Sequence, residues 1–525
     1  MKTITDWLFT TDHKRIGILY LVGSFAGFGL AGLAALIIRL QQYAPGQNVA
    51  VGGDYNHALY FHAGAMLLAF IIPVLTGFFG NYFIPLLIGA TQTAFPRLSA
   101  MSVWFFWGGI VLALLSMALP DGPDVMWTGT PPYSEKTTGN TLFYTLTVLF
   151  FGLSSMLTAI NLLTTIFWLR APGIKLMQLN MFVWTSIGAF SMQVVFLPVL
   201  ASAVTMLSLD KYFGFHFFDP AGGGDPGLYQ NLFWFYSHPV VYVIFLPAVG
   251  ILFDVVATMA KNPVFNYKAA VFGGVIAMVV MSSDVWVHHL FTAGFPDWLR
   301  IFMMITTLMI SVPVGVMMLS LWGTLYKGSI TYNIAMHYAG ACFFLVLIGG
   351  LTGIPNAMVA TDVHLHSTSW VHAHFHFVMA LFATFAVFAG LYYWFPKMTG
   401  RLAETAVGKA GFWLSFIGAN VTFWPLLIIG AAGMPRRYWD YDQFPTWFTD
   451  YHHVATYGAF LTALGMLLAL GNLVVSAFAG RVSDANPWRS KSLEWTHTAN
   501  PPVPDNFTEE PQLAADWTPY NYVRR

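Results

Sequence analysis

Six histidines of this sequence lie inside long apolar stretches, where an imidazole is costly unless it has a partner. These residues are His62, His238, His288, His289, His374 and His376. An interhelical hydrogen bond would explain any single one of them, but six together are harder to explain in that way. Because imidazole is a common ligand of iron and copper, the six histidines predict a redox metal centre.

The spacing of these histidines limits which of them can share a metal. His374 and His376 are two residues apart, so on a helix their side chains point about 200° apart and would ligate two metals on opposite flanks. His288 and His289 differ by about 100°, but at a helix end both could reach one ion. The simplest assignment has three sites: a six-coordinate iron, an iron with an open position, and a copper held by three histidines.

Two further residues accompany the histidines. Tyr242 follows His238 by four residues and shares its helical face. Asp284 precedes His288 by one helical turn, and we interpret it as the clearest acid deep in an apolar stretch. Such an acid is a functional candidate by default, and the alternative is a structural partner for a backbone or serine group.

Composition determines what kind of element must carry these residues. The chain has 525 residues, of which 9% are charged and 57% hydrophobic, with 23 basic and 23 acidic residues. Soluble domains carry about 25% charged residues, so a water-soluble protein is excluded. A nucleic-acid binder would need a basic excess, and a disordered chain would be less apolar. The single cysteine, Cys342, excludes an intrachain disulfide and cysteine-rich metal centres.

Apolar stretches of about twenty residues without alternation predict transmembrane helices and exclude a β-barrel. The fold class is therefore all-α, with twelve transmembrane helices. The predicted spans are Ile16–Ile38, Leu59–Ile88, Met101–Leu119, Leu142–Leu169, Phe182–Leu207, Tyr229–Val256, Ala269–Thr292, Arg300–Leu325, Ala339–Gly353, Val371–Tyr393, Gly411–Ala432 and Ala455–Phe478.

The distribution of positive charge predicts the orientation. Seventeen of the 23 Lys and Arg residues, with Arg524 and Arg525 among them, fall on the side of the N-terminus, which the positive-inside rule places in the cytoplasm. Both termini are then cytoplasmic, and the six histidines lie in one layer of the outer half of the membrane. We expect one membrane domain over residues 1–480 and a cytoplasmic tail over residues 481–525.

Several motifs resemble those of subunit I of the haem-copper oxidase superfamily, and its mitochondrial-like branch most closely. They occur in order at residues 10–17, 77–81, 94–97, 217–226, 236–242, 287–292, 373–377 and 433–438. The resemblance covers nearly the whole chain and implies a twelve-helix haem- and copper-binding bundle.

The resemblance also implies a role for each histidine. His62 and His376 would be the axial ligands of a low-spin haem, and His374 the proximal ligand of a high-spin haem. His238, His288 and His289 would bind copper. Tyr242 would be cross-linked to His238 and would supply an electron and a proton when the O–O bond breaks.

Other implied roles concern the haem edges. Arg436 and Arg437 would pair with haem propionates, as charge-assisted contacts favour. Arg39 and Trp127 would lie close to the haems. On the outer face, His366 would belong to a magnesium region with Asp362 on the propionate side. This chain has Ser367 where the family has its magnesium-site aspartate.

We expect the catalytic subunit of a terminal respiratory oxidase that reduces O2 to water in a bacterial or archaeal cytoplasmic membrane. The implied cofactors are two haems and a copper ion. The implied partners are O2, cytochrome c or quinol as electron donor, a subunit II-like protein where electrons arrive, other oxidase subunits and the lipid bilayer, without nucleic acid. The alternatives are a nitric oxide reductase of the same superfamily and, from another class, a non-catalytic membrane transporter.

The proton routes depart from the family pattern. Gln92 and Val240 stand where acids are usual, and Met317 replaces the usual lysine. Tyr236 and Ser237, just before His238, resemble a variant that carries the proton function. The departures argue against proton pumping, and we expect Asp284 to deliver protons by another route.

The histidines considered next are not predicted to be metal ligands. His372, one turn before His376, is predicted to contact a propionate or water. His13, His57, His452 and His453 are predicted to lie in loops.

Overall fold

In a computed structural model of the chain, residues 2–119 and 121–523 are described. Arg524 and Arg525, which entered the prediction of orientation, lie outside the described residues. Most of the described chain is helical, and its one sheet pairs Arg401–Leu402 with Arg481–Val482 in antiparallel register.

The described residues form twelve helices that are long and apolar enough to cross a membrane, which confirms the predicted fold class. Their bounds are His13–Gln41, Gly53–Ile88, Pro96–Ala118, Thr141–Trp168, Met181–Phe213, Pro226–Ala260, Tyr267–Asp284, Asp297–Leu325, Ile334–Ala357, Ser369–Thr399, Ala406–Ala431 and Phe448–Ala479. We refer to them as the first to twelfth spans. The ninth span is longer than predicted because its helix begins at Ile334.

The second, sixth and tenth spans lie at the centre of the bundle. Their most apolar windows are 72%, 89% and 72% buried, whereas that of the first span is 33% buried. These three central spans carry His62, His238, His374 and His376. Histidines at the centre can contact one another or a buried ligand, whereas outer helices face the lipid.

Helical geometry is irregular close to several of these histidines. In the second span, π-helical turns at Ala65–Ile71 and Pro73–Phe79 follow His62. In the tenth span, another π-helical segment begins at His376 itself. Such π-turns occur frequently at functional sites, because an extra residue in a turn changes the direction of the side chains.

The end of the seventh span differs from the prediction. The helix ends near Asp284, and His288 and His289 lie in a separate 3-10 segment, Trp286–Leu290. The predicted limit at Thr292 was therefore wrong, because the apolar composition continues after the α-helical geometry has ended. This change allows the two adjacent histidines to turn toward one point.

The C-terminal segment, residues 481–523, packs on the end of the bundle opposite the histidine layer. Trp495 is 2% exposed and Tyr520 is 6% exposed. The Tyr520 hydroxyl donates to the carboxylate of Asp254 near the end of the sixth span. The segment is therefore a packed cover of the membrane domain.

The eleventh and twelfth spans meet along a seam of glycines. Gly411 and Gly418 on one helix, and Gly458 and Gly465 on the other, each lie within 3 Å of the partner backbone at the position that a Cβ would take. Small residues allow transmembrane helices to approach this closely.

We predict that Gly465→Ala destabilises the protein, because its new Cβ would lie 2.2 Å from the Ser415 nitrogen. Overpacking of this kind costs about 1–3 kcal/mol. Thermal denaturation in detergent should show a lower Tm. Gly471→Ala, six residues further along the same helix and free of contacts within 4 Å, is the matched control. Equal Tm values for the two variants would contradict the close packing of the two helices at Gly465.

Candidate metal centres

Three histidines form one cluster between the sixth span and the 3-10 segment. One ligand nitrogen from each of His238, His288 and His289 lies within 4.8 Å of the others. Among the described residues this is the one group of three or more His, Cys, Asp or Glu side chains with that geometry. The structure thus brings together the three residues that were predicted to bind copper.

Contacts around this cluster orient its rings. His288 Nδ1 lies 3.1 Å from the Thr307 hydroxyl, and the His289 ring stacks on Trp234 with centroids 3.7 Å apart. His238 Nε2 is buried and has no hydrogen-bond partner among the described residues. A buried nitrogen without a partner is unfavourable, so the donor set fits a metal ion.

Tyr242 lies beside the cluster, and Trp127 lies further out, where its expected closeness to a haem stays a prediction. The rings of His238 and Tyr242 have centroids 4.9 Å apart, because a spacing of four residues places them on one helical face. Trp127 contacts Trp234 edge-to-face at 5.8 Å, so it lies one ring further from His289.

His62 and His376 face each other across the centre of the bundle. Their rings are parallel within 2° and their centroids are 6.4 Å apart. Metal–nitrogen bonds of about 2.0–2.1 Å on each side of one ion would place two such centroids about 6 Å apart. The spacing therefore fits two axial ligands of one iron.

The tautomers of these rings also fit ligation. His62 Nδ1 donates to the Ala31 carbonyl at 3.0 Å, His376 Nδ1 to the His372 carbonyl at 2.8 Å, and His374 Nδ1 to the Gly349 carbonyl at 2.9 Å. A carbonyl oxygen can only accept a hydrogen bond, so each Nδ1 must carry the hydrogen. Each Nε2 is left with its lone pair available to a metal.

His374 lies on the other flank of the tenth span from His376. A Cβ on Gly353 would lie 2.8 Å from His374 Cε1, so the glycine leaves room for the ring. Burial and the neighbouring His374 lower the pKa of His288, so His374 lies near the three-histidine cluster. An iron on His374 would thus lie next to the three-histidine cluster.

Three arginines lie near the outer ends of the central spans. Arg39 is 6% exposed and donates to Gln42, His452 and Thr456, but its Nε has no partner. Burial and the neighbouring Arg437 lower the pKa of Arg436 to about 9. No carboxylate among the described residues pairs with any of the three. Such uncompensated guanidinium groups fit the carboxylates of a haem.

His366 and Asp362 form a pair on the same side of the bundle. His366 Nδ1 lies 2.9 Å from Asp362 Oδ2, and Asp362 is 2% exposed. The Arg436 backbone N–H donates to the Ser367 carbonyl at 2.9 Å, which ties this pair to the arginine loop. The magnesium region predicted around His366 stays a prediction.

The histidines assigned to loops lie in helices. His13 begins the first span, His57 lies in the second, and His452 and His453 lie in the twelfth. The loop prediction was wrong because polar residues at helix ends resemble a loop. His372, in contrast, is a backbone partner of His376, and its predicted contact with a propionate or water stays a prediction.

Asp284 does not join the metal ligands. Its side chain is exposed and makes no hydrogen bond to the described residues, while its carbonyl accepts from Thr306. The most deeply buried acid among the described residues of the spans is instead Asp254, 2% exposed in the sixth span. Sequence analysis missed it, although an aspartate between Phe253 and Val255 in an apolar run was a visible signal.

A row of polar side chains, which we call the polar file, starts at Gln92 and runs between the first, third and fourth spans. Thr93 contacts Ser99 at 3.3 Å, and Ser99 accepts from the Asn161 amide at 2.6 Å. Beyond Ser102 the file reaches the Tyr20 hydroxyl cluster, in which the Tyr20 hydroxyl lies within 3.2 Å of three other hydroxyl groups. Those three belong to Ser102, Ser154 and Thr158.

Two adjoining cavities continue this file toward the metal site. One is lined by the Tyr20 hydroxyl cluster and Ser155, and the other by Ser155, Leu197, Leu200 and Tyr236. Tyr236 is two residues before His238. The polar file thus begins at Gln92 and, through the two cavities, reaches Tyr236 of the sixth span, next to the copper-site histidines.

Parallel histidines on central helices and a nearby three-histidine cluster are the arrangement expected of a membrane redox protein with neighbouring iron and copper sites. Residues 15–461 match the family described as cytochrome C and quinol oxidase polypeptide I. The chain therefore belongs to this family and is a haem-copper oxidase subunit I, as its motifs predicted.

Individual relatives agree with this assignment. Cytochrome c oxidase subunit 1 of Synechocystis sp. is 41% identical over 99% of this chain and 93% of the relative. Cytochrome c oxidase subunit 1 of Cereibacter sphaeroides is 39% identical over 98% of this chain and 96% of the relative. Quinol oxidase subunit 1 of Bacillus subtilis is 35% identical over 97% of this chain and 79% of the relative.

A solved structure has the same fold. A haem-copper terminal oxidase dimer determined by cryo-electron microscopy superposes with a TM-score of 0.74. The match covers 90% of this chain and 85% of the other at 20% identity.

We predict that His288→Leu lowers the copper content of the purified protein at least about tenfold, since even loss of an outer-sphere partner costs 10–100-fold in metal affinity. The iron content should stay unchanged because His62, His374 and His376 are untouched. Metal analysis by mass spectrometry measures both. His372→Leu, a histidine outside the cluster, is the control and should retain both metals. Copper retained in His288→Leu would contradict the assignment.

Proposed function

We propose that this chain is the catalytic subunit of a terminal respiratory oxidase that reduces O2 to water. The observation that carries the proposal is the three-histidine cluster beside His374, with the parallel pair of His62 and His376 on the opposite flank of the tenth span. One site would receive electrons and the other would bind O2. The terminal oxidases are membrane oxidoreductases, and the family assignment supports this class.

Named residues would hold each group. His62 and His376 would hold one haem, His374 a second haem, and His238, His288 and His289 a copper ion. When bound, these groups supply electron transfer and the reduction of oxygen, while the protein sets ligand geometry and proton supply. Arg39, Arg436 and Arg437 would neutralise the haem propionates.

Tyr242 favours oxygen over nitric oxide as the substrate. Its ring is adjacent to His238, so its hydroxyl can hold and release a proton next to the copper ligand. Cleavage of the O–O bond requires an additional electron and proton, which a tyrosine can supply. Reduction of nitric oxide needs no such donor.

We propose cytochrome c or a quinol as the electron donor, acting through a subunit II-like partner. The related proteins include both cytochrome c and quinol oxidases, which supports either donor. The proposed location is a bacterial or archaeal cytoplasmic membrane with both termini inside. A magnesium ion at His366 and Asp362 is a further proposal, favoured by their contact at 2.9 Å.

Turnover tests the oxidase proposal. The purified holoenzyme should reduce O2 and should not reduce nitric oxide at a comparable rate. Tyr242→Phe should lower O2 turnover at least about a hundredfold, in the range that a lost acid–base group costs. Its haem and copper contents should stay at wild-type levels. Reduction of nitric oxide without reduction of O2 would identify the reductase alternative, and a protein without haem would support a transporter.

Proton delivery by Asp284 remains a proposal, supported by its position four residues before His288. Asp284→Asn removes the titratable proton and keeps the size of the side chain. If Asp284 delivers protons, O2 turnover should fall about tenfold or more while metal content stays intact. Unchanged turnover with intact metal centres would rule the role out.

A further inference from the structure

A glutamine in the middle of the fifth span has no role in the ligand set. Gln193 is 1% exposed, and neither its amide nitrogen nor its amide oxygen has a hydrogen-bond partner among the described residues. A buried amide offers two donors and two acceptors, so leaving all of them unpaired is strongly unfavourable. In most proteins a buried water satisfies such groups.

Packing between the fifth and sixth spans gives the depth of Gln193. The two helices run antiparallel, with Phe182 against Gly250 near one end and Phe196 against Phe235 at 5.3 Å near the other. This register places Gln193 level with His238 and Pro239. The amide therefore lies at the depth of the copper-ligand turn, beside the position where the family usually has an acid.

The helical face of Gln193 points to the polar file. Leu197 and Leu200, four and seven residues later, line the cavity beside Tyr236, and positions at this spacing share a face. Three residues earlier, Phe190 packs against Gly80 of the second span. Gln193 thus lies one turn along the same face from the Tyr236 cavity. Because Leu197 packs against Gly152 of the antiparallel fourth span, Gln193 is level with the turn of Ser155, which lines both cavities.

We propose that Gln193 positions the water that passes protons from the Tyr20 hydroxyl cluster to Tyr236. The inference rests on the proposed oxidase function, because reduction of O2 at a buried site consumes protons. Tyr236 would give its hydroxyl proton toward the metal site and take one from this water, which is reprotonated from the cluster side. The amide itself does not ionise, so Gln193 is a positioning residue.

Substitution of Gln193 in the holoenzyme tests this proposal. Gln193→Met keeps the approximate length but removes the hydrogen bonds, and Gln193→Glu keeps an acceptor. Gln193→Met should lower O2 turnover at pH 8 about tenfold or more, with a smaller loss at pH 6, where protons are more abundant. Haem spectrum and metal content should stay unchanged, which separates this effect from misfolding. Gln193→Glu should restore at least half of the turnover.

A double-mutant cycle with Tyr236→Phe tests whether the two residues act in one path. If they do, Gln193→Met adds little to the loss caused by Tyr236→Phe alone. Additive losses, or full turnover of Gln193→Met at pH 8, would overturn the inference while leaving the oxidase function standing. If the wild-type holoenzyme reduces no O2, the proposed function fails and the inference fails with it.

Discussion

The main physical constraint on this protein is the burial of imidazole nitrogens in a bundle that contains few charges. The Nδ1 atoms of His62, His374 and His376 each donate a hydrogen bond to a backbone carbonyl. Each Nε2 then needs a partner that the described side chains do not provide. His238 Nε2 is likewise buried and unpaired. A metal ion at each of the three proposed sites would satisfy these atoms, so metal binding would stabilise the fold as well as supply the chemistry.

The 3-10 and π-helical segments direct the histidine side chains toward these sites. Regular helices carry side chains at fixed angles, and two adjacent histidines on one α-helix diverge by about 100°. Ending the seventh helix near Asp284 and continuing in a 3-10 segment lets His288 and His289 converge with His238. On the other two helices, a π-helical turn follows His62 and another begins at His376. Close packing of glycines elsewhere, as between Gly418 and Gly458, holds the outer helices around this centre.

Much of this arrangement could be predicted from the sequence, because hydropathy and ligand spacing act over short distances. The twelve spans and the convergence of His288 and His289 belong to this predictable part, whereas the sharing of their site with His238 was implied by the family resemblance. The failures have physical causes. The seventh span was predicted too long because composition does not record where α-helical geometry stops. His452, 1% exposed in the twelfth span, was assigned to a loop because its burial depends on packing against Arg39. Gln193 gave a visible signal, a lone amide in an apolar helix, but its depth and face depend on neighbouring helices.

Metal content of the purified protein, measured with its optical spectrum, tests the central claim most directly. We expect two haems and one copper ion per chain, with His62 and His376 on one haem and His374 on the other. A haem-free protein would contradict the account, because the Nε2 atoms of His62 and His376 would then need another partner. A protein with both haems but without copper would contradict the assignment of the three-histidine cluster.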